Sequence, residues 1–365
     1  MTSERSVEPR VLLAELARSD VSACVWKGST HLADSLAGRG DLDVLVAEAD
    51  RVEAREVLRR HGYLPADRAH PADQPGIEDW FSVHRDYLVQ VQLYHQLVVG
   101  DLVRGWRRVP RERQVLQGRR PSPEGPLVPS PDVDALLLLV RAAVSSRRRD
   151  RLVRPPWRRD LSRWAAEWDL LLAGTSLRHV ARLAGDWFGP DTAIAVSSVS
   201  SPLALADLVR LRSLMVPQLS DGLGDSLPRR LVRVVALAVH RLDRRRGRGT
   251  VLVKRGLPGR GIWVIATGTH ANELADTVRA FFGAKFDAHR LRLDRTTPAS
   301  ARDRMIRRAL SARDCGLLVV CTDGAASKDV AALGDVVVVG EGELRSAARS
   351  AVRRVWAATS EAASR

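Results

Sequence analysis

The chain has 365 residues and a net charge of +15, enough for two or three domains with hydrophobic cores of their own. Its longest clear apolar runs, 135–140 and 234–239, are too short to span a membrane, and the N-terminal residues lack the pattern of a signal peptide. The three cysteines are too few and too scattered for a disulfide framework or a zinc site. We therefore expect a protein of the reducing cytoplasm, with each cysteine a small core residue.

Basic and acidic residues are unevenly distributed along the chain. Residues 1–100 contain 11 basic and 16 acidic residues, residues 101–250 contain 28 and 15, and residues 251–365 contain 19 and 12. Only 4 of the 58 basic residues are lysines, a skew typical of a GC-rich bacterial genome. A cleft between the acidic first part and the basic middle part would attract a polyanion such as a nucleoside triphosphate. Nucleic acid is the rival polyanion, but the basic runs lack interleaved aromatic residues, so it is not favoured.

The first part of the chain, residues 1–118, alternates helical and strand patterns. Helices are predicted over 11–18, 30–37 and 49–61, and strands over 23–27, 42–46, 79–85 and 87–95. This order favours a small mixed sheet with helices on one side.

Within this part, a Gly-Ser turn precedes two alternating carboxylates. Gly28 allows the backbone to approach a phosphate closely, and Ser29 adds a hydroxyl and an amide at the expected start of a helix. Asp41 and Asp43 point to the same face of a strand because the side-chain period is two. Two such oxygen ligands can hold Mg²⁺ or Mn²⁺ against a triphosphate. A plain turn followed by a solvated Asp-x-Asp is the structural alternative.

The turn and the two carboxylates together resemble the polymerase β-like nucleotidyltransferase superfamily, over about residues 22–46. That family pairs a Gly-Ser or Gly-Gly turn with Asp-x-Asp after a spacer. The resemblance implies catalytic and metal-binding roles for Asp41 and Asp43, with an NTP as substrate. Residues implied to bind the nucleotide are Lys27, Gly28, Ser29 and Arg39. Lys27 departs from the family pattern, which has a hydrophobic residue before the turn.

The third carboxylate of that superfamily comes from a later strand, and here the chain differs. The matching positions in the strand over 87–95 are Gln90 and Gln92. Glutamine cannot act as a general base for a hydroxyl nucleophile. Either a nearby acid such as Asp86 substitutes, or the substrate brings its own activated nucleophile, or activity is reduced or lost.

The middle part, residues 119–250, is predicted to be helical. Its proline-rich beginning, 119–131, is typical of a linker, and Asp132 is expected to cap the apolar helix that follows. Tryptophans at helical spacing indicate packing residues, and the arginine-rich run 244–249 indicates an exit linker. Candidates for triphosphate contacts are Arg141, Arg147–Arg149, Arg158 and Arg159.

The last part, residues 251–365, begins with a strand pattern over 262–266, a glycine-containing turn over 267–272 and a helical pattern over 273–282. This order resembles the start of a P-loop domain of the thymidylate-kinase-like proteins. The strand over 334–339, followed by a terminal helix, resembles the end of such a domain.

The residues that a working P-loop needs are missing from this last part. A P-loop carries a lysine for the outer phosphates and a Ser or Thr for magnesium. No lysine lies between Lys254 and Lys285, although Asp323 follows the strand over 316–321. We expect a degenerate P-loop-like α/β domain, used for packing, homo-oligomer formation or weak ligand binding.

The fold class predicted is therefore α/β: a small mixed-sheet nucleotidyltransferase domain, a helical domain and a degenerate P-loop-like domain. The predicted function is metal-dependent transfer of a nucleoside monophosphate from an NTP to a small-molecule or macromolecular acceptor in a bacterial biosynthetic pathway. The alternatives are a catalytically impaired nucleotide-binding or scaffold protein of the same fold, a thymidylate-kinase-like phosphotransferase, and an RNA-associated protein.

Overall fold

In the computed structural model the chain is a mixed α/β protein. The structure describes residues 8–38, 40–66, 76–84, 87–101, 105–146, 157–221, 263–266, 273, 276–278, 281, 287–293, 316–322, 336–339 and 356. Its helices are α1 (Pro9–Arg18), α2 (Leu32–Leu36), α3 (Arg51–Arg60), α4 (Glu112–Gln117), α5 (Pro131–Ser145), α6 (Trp157–Leu172), α7 (Leu177–Phe188), α8 (Pro190–Ser197) and α9 (Leu205–Met215).

A five-stranded mixed sheet organises the first part of the chain. Its strands are β1 (Ala23–Val25), β2 (Leu42–Val46), β3 (Leu64–Ala66), β4 (Ile77–His84) and β5 (Tyr87–Tyr94), in the order β1-β2-β5-β4-β3. β2 and β5 run parallel, and the other neighbours are antiparallel. The predicted mixed sheet is confirmed. The short β3, which contains a proline, is not indicated by the sequence.

Both faces of this sheet are buried, because apolar residues occupy both sets of alternating positions. Leu42, Val44 and Val46 of β2 pack in one cluster with residues of α1 and α3. Leu45 of β2 and Tyr94 of β5 belong to a second cluster with α5. The prediction placed helices on one side only; the helices after residue 130 cover the other face.

Helix α5 lies at the centre of the second cluster. Every residue from Ala135 to Val140 is 0% exposed, as expected of a helix that is apolar on all sides. Helices α6, α7 and α9 pack around it. The N-cap is Ser130 and Pro131 takes the first helical position. Asp132, the predicted cap, is therefore the second residue of the helix.

Tryptophans of the middle part pack in the same cluster, as their helical spacing predicts. Trp168 and Trp187 are buried there, and Trp164 packs against them from a partly buried position. Indole rings bury a large area at helix contacts. They stabilise the packing of α6 and α7 on α5.

The proline-rich segment does not behave as a linker, and this prediction was wrong. Its residues form a hairpin of β8 (Arg120–Pro121) and β9 (Leu127–Val128). Val128 is 6% exposed and joins the cluster of α1 and α3, and β9 packs against β1. The apolar pair at 127–128 therefore ties the segment to the sheet.

A small three-stranded sheet also joins the first and middle parts. Its strands are β6 (Val98–Asp101), β7 (Gly105–Arg108) and β10 (Ser220–Asp221), in the order β10-β7-β6. One hydrophobic cluster runs from Cys24 to Leu219. Packing is thus continuous across residue 118, where the sequence predicted a domain boundary.

The last part contains a four-stranded parallel sheet. Its strands are β11 (Trp263–Ala266), β12 (Asp287–Leu293), β13 (Gly316–Thr322) and β14 (Val336–Val339), in the order β12-β13-β11-β14. Three of them match predicted strands. β12 was not predicted from the sequence, because four of its seven residues are charged or polar and interrupt the apolar pattern.

Part of the helix predicted after β11 is present. Glu273 and residues 276–278 are helical, and the hydroxyl of Thr277 donates to the Glu273 carbonyl at 2.8 Å. The turn over 267–272, Asp323 and the run over 244–249 lie outside the described residues. Among the described helices, none combines the length and the apolar character needed to cross a lipid bilayer.

The shared core predicts that sheet and helices unfold together. Leu138→Ala removes a side chain that is 0% exposed, which should lower the free energy of unfolding by about 2–5 kcal/mol. Hydrogen exchange in urea should show amides of β2 and α7 losing protection at the same, lower urea concentration. Ile194→Ala is the control, since Ile194 is 60% exposed. Loss of protection in α7 alone would contradict a shared core.

Candidate active site

The turn at Gly28 joins β1 to the short helix α2. Gly28 has φ +71°, in the left-handed region that favours glycine, and a Cβ placed there would meet no atom within 4 Å. Ser29 to His31 form a single 3-10 turn before the five-residue α2. The predicted helix over 30–37 is therefore shorter than expected, and it is too short for a strong helix-terminus anion site.

Asp41 and Asp43 lie at the beginning of β2. Asp41 immediately precedes the strand and is exposed, whereas Asp43 lies within it and is partly buried. The backbone amide of Trp26 donates to the Asp43 carbonyl at 3.1 Å. This bond fixes the beginning of the Gly28 turn beside the second carboxylate.

Three polar residues form a row across neighbouring strands. Asp43 of β2 pairs in register with Gln92 of β5, and Gln92 pairs in turn with Asp79 of β4. Paired residues of neighbouring strands point to the same face. Gln92 thus lies directly beside Asp43, where the resemblance implies a third carboxylate.

Lys27 connects the turn to this row. Its ammonium nitrogen lies 3.4 Å from Asp43 Oδ1 and donates to the hydroxyl of Tyr94. The same nitrogen lies 4.6 Å from the ring centre of Trp26 and 4.3 Å from that of Tyr94, a cation-π arrangement. The hydroxyl of Tyr94 donates to Gln92 Oε1 at 2.9 Å. Lys27, Asp43, Tyr94 and Gln92 are therefore one connected network.

Asp79 is a buried carboxylate that sequence reasoning missed. It is 2% exposed, and its Oδ1 accepts bonds from the amides of Gln90 at 2.9 Å and Gln92 at 3.1 Å. The antiparallel register of β4 with β5 puts Asp79 opposite Gln92, and this register was not predicted from the sequence. Both glutamines, expected as possible site residues, thus bind Asp79 through their amide nitrogens.

Asp41 and Asp43 supply two carboxylates at the beginning of β2, fewer than a metal ion held by the protein alone needs. Within the described part of the chain, no group of three His, Cys, Asp or Glu side chains is placed to hold a metal ion. Mg²⁺ often needs only one or two carboxylates when phosphates complete its shell. The ammonium of Lys27 already lies 3.4 Å from Asp43 Oδ1, so a cation bound at this carboxylate would have to share it with Lys27 or displace it.

Ser29 does not point into the open space beside Gly28. Its hydroxyl is hydrogen-bonded to Oδ2 of Asp134 on α5, so this hydroxyl is already engaged by a buried carboxylate. Asp134 is 3% exposed, and burial raises the pKa of its carboxyl to about 6. Nearby, Arg141 Nη1 lies 3.6 Å from Glu167 Oε1 on α6. The turn is therefore anchored to the helices through Ser29.

Several expected site residues lie outside the described residues. They are Arg39, Asp86 and Arg147–Arg149, together with the side chains of Arg158 and Arg159. Arg141, the remaining arginine candidate, is paired with Glu167 rather than directed at the Asp41 and Asp43 strand end.

A cavity of about 330 Å³ lies elsewhere, between α1, β1 and the β8–β9 loop. Its lining is mostly aliphatic and includes Cys24, whose thiol pKa burial raises to about 12. None of the candidate site residues lines it. Its charged lining residues are Arg10 and Glu124, which form no cluster with a second carboxylate, so we place the candidate active site at the Gly28 turn.

Comparisons of the chain with protein-family models, curated proteins and solved structures gave no match. The functional assignment therefore depends on the residues and geometry described above.

Asp134 predicts a pH dependence of stability. Its folded pKa of about 6 exceeds the ordinary 3.8, so the folded state binds this proton more tightly than the unfolded state does. Its contribution to stability is present below pH 4 and is lost as the pH rises to 6, a change of about 3 kcal/mol at most. Asp134→Asn should flatten urea midpoints measured across this range. An equally steep profile in that variant would contradict the assignment.

Proposed function

We propose that the protein is a metal-dependent nucleotidyltransferase whose site is formed by the Gly28 turn and the beginning of β2. The observation that supports this most is the contact between Lys27 and Asp43, because it brings the glycine turn and the carboxylate strand into one site. In the proposed reaction, an acceptor oxygen attacks the α-phosphorus of an NTP. The bond to the β-phosphate breaks, and pyrophosphate leaves.

Each part of the site has a role in this proposal. Asp41 and Asp43 would hold Mg²⁺ or Mn²⁺, which neutralises charge on the triphosphate when bound. The open space at Gly28 would admit a phosphate close to the backbone. Lys27 would add a positive charge on the side of Gln92.

A catalytically impaired nucleotide-binding or scaffold protein of the same fold is the second candidate. The observation in its favour is Gln92 beside Asp43, at the position of the expected third carboxylate. Two features count against it. Asp41 remains exposed at the strand end, and Lys27 is held at Asp43 by two aromatic rings.

We propose that the last part is a degenerate P-loop-like domain. The parallel order β12-β13-β11-β14 supports an α/β sheet with β11 inside it. In such sheets ligands bind beyond the carboxyl ends of the strands, where the strand order reverses. The turn after β11 lacks the lysine of a phosphate-binding loop, so we propose that it does not catalyse phosphoryl transfer.

The first test of this proposal removes the carboxylates. Asp41→Asn and Asp43→Asn should each reduce transfer of label from an α-³²P-labelled NTP to below detection, because the metal loses a charged ligand. Melting temperatures should stay close to that of the parent. Glu56→Gln is the control, since Glu56 is 52% exposed on α3. Undiminished turnover in both aspartate variants would reject the site.

The second test fills the open space at the turn. Gly28→Asn keeps a residue that tolerates positive φ, yet places a side chain where phosphate is proposed to bind. NTP affinity by calorimetry should fall at least about tenfold, or about 1.4 kcal/mol, with little change in melting temperature. Gly28→Val should lose both affinity and stability, because a branched residue is strained there. Unchanged affinity in Gly28→Asn would mean that phosphate does not contact the turn.

A further inference from the structure

The position beside Asp43 cannot remove a proton from an acceptor. Gln92 occupies it, and both ends of its amide are engaged: Nε2 donates to Asp79 and Oε1 accepts from Tyr94. An amide has no basic lone pair at neutral pH. An alcohol acceptor would need a base at this point to become a good nucleophile.

Among the described residues, Asp79 and Asp43 do not replace that base. Asp79 is buried on the strand beyond Gln92 and accepts two amide hydrogen bonds there. Asp43 faces the ammonium of Lys27 and, in the proposed function, a metal ion. Among the described residues, the two groups shown to lie beside Asp43 are thus the amide of Gln92 and the ammonium of Lys27, and neither is a base.

Lys27 gives this position a positive charge. Its side chain is 21% exposed, so the ammonium is held by the protein yet reachable from solvent. Two aromatic rings flank the ammonium: that of Trp26, which follows β1, and that of Tyr94 in β5. They restrict its movement. A fixed cation in a partly buried site attracts an anion more strongly than it attracts a neutral alcohol.

From these contacts we infer that the acceptor is an anionic oxygen nucleophile, a phosphomonoester or a carboxylate, which Lys27 holds. This inference rests on the proposed function and specifies its substrate class. The ionised oxygen forms a bond to the α-phosphorus. The bond from the α-phosphorus to the oxygen that bridges the α- and β-phosphates breaks, and pyrophosphate leaves with that electron pair. No proton is transferred, so no base is needed.

The experiment uses the full-length protein, Mn²⁺ and each of four α-³²P-labelled NTPs. The acceptors are small metabolites from the source organism in three portions: untreated, treated with alkaline phosphatase that is then removed, and treated with carbodiimide and methylamine to cap carboxylates. The labelled product should disappear in one treated portion, and that portion identifies the phosphate or the carboxylate. A product that survives both treatments would overturn the inference.

A binding measurement tests the role of Lys27 without turnover. Inorganic phosphate is titrated calorimetrically into protein that is saturated with Mn²⁺ and an α,β-methylene NTP analogue. Lys27→Met keeps the stem against Trp26 and Tyr94 but removes the charge, and phosphate affinity should fall at least about tenfold, the effect of one charge-assisted hydrogen bond. Lys27→Arg is the matched control and should retain most of the affinity. Equal phosphate affinity in Lys27→Met and the parent would overturn the inference.

Gln92→Asp separates an anionic acceptor from a site that has merely lost its base. The added carboxylate repels an anionic acceptor, so transfer should fall at least about tenfold, whereas restoring a missing base would raise it. A rise would overturn the inference. If no NTP analogue binds with Mn²⁺ to the parent protein, the proposed function itself fails; if it binds and an alcohol accepts the label, only the inference fails.

Discussion

The parallel pairing of β5 with β2 is the constraint on which the rest of the first part depends. It places Gln92 beside Asp43 and Tyr94 beside Leu45, so that a polar row and an apolar row run side by side across one face. A shift of one residue in the register of β5 against β2 would move every side chain of β5 to the opposite face of the sheet. The apolar row then would not meet α5, and Lys27 would lose its contacts with Asp43 and Tyr94. Core packing and site geometry are therefore fixed by the same strand register.

The residues before and after Gly28 make different kinds of contact: Lys27 forms a partly exposed ion pair, and Ser29 forms a hydrogen bond to a buried carboxylate. On one side, the Lys27 ammonium offsets the Asp43 carboxylate within reach of solvent, so this pair can exchange partners with a bound nucleotide. On the other side, Ser29 anchors the turn to the fully buried Asp134, and that bond joins the sheet to the helices. An ion pair within reach of solvent beside a buried anchor suits the proposed site, which would admit a polyanion without losing its shape.

Strand positions and the Asp41 to Asp43 spacing could be predicted from the sequence, because alternating apolar residues and glycine turns act locally. The registers in which the strands pair could not be predicted. Asp79 reaches the site only through the β4–β5 register, and Tyr94 reads as an ordinary core residue until Lys27 is seen to contact it. The proline content of the 119–131 segment indicates a linker, but two apolar residues at 127–128 pack it against β1. Ser29 was expected at a phosphate, but Asp134 lies more than a hundred residues away and no local pattern reveals it.

A crystal structure with Mn²⁺ and an α,β-methylene NTP analogue would test the central claim most directly. The account predicts an anomalous manganese peak within bonding distance of the Asp41 and Asp43 carboxylates. It also predicts triphosphate density against Gly28, with Lys27 displaced toward the position beside Gln92. A nucleotide bound only beyond the carboxyl end of β11, with no manganese at Asp43, would contradict the account.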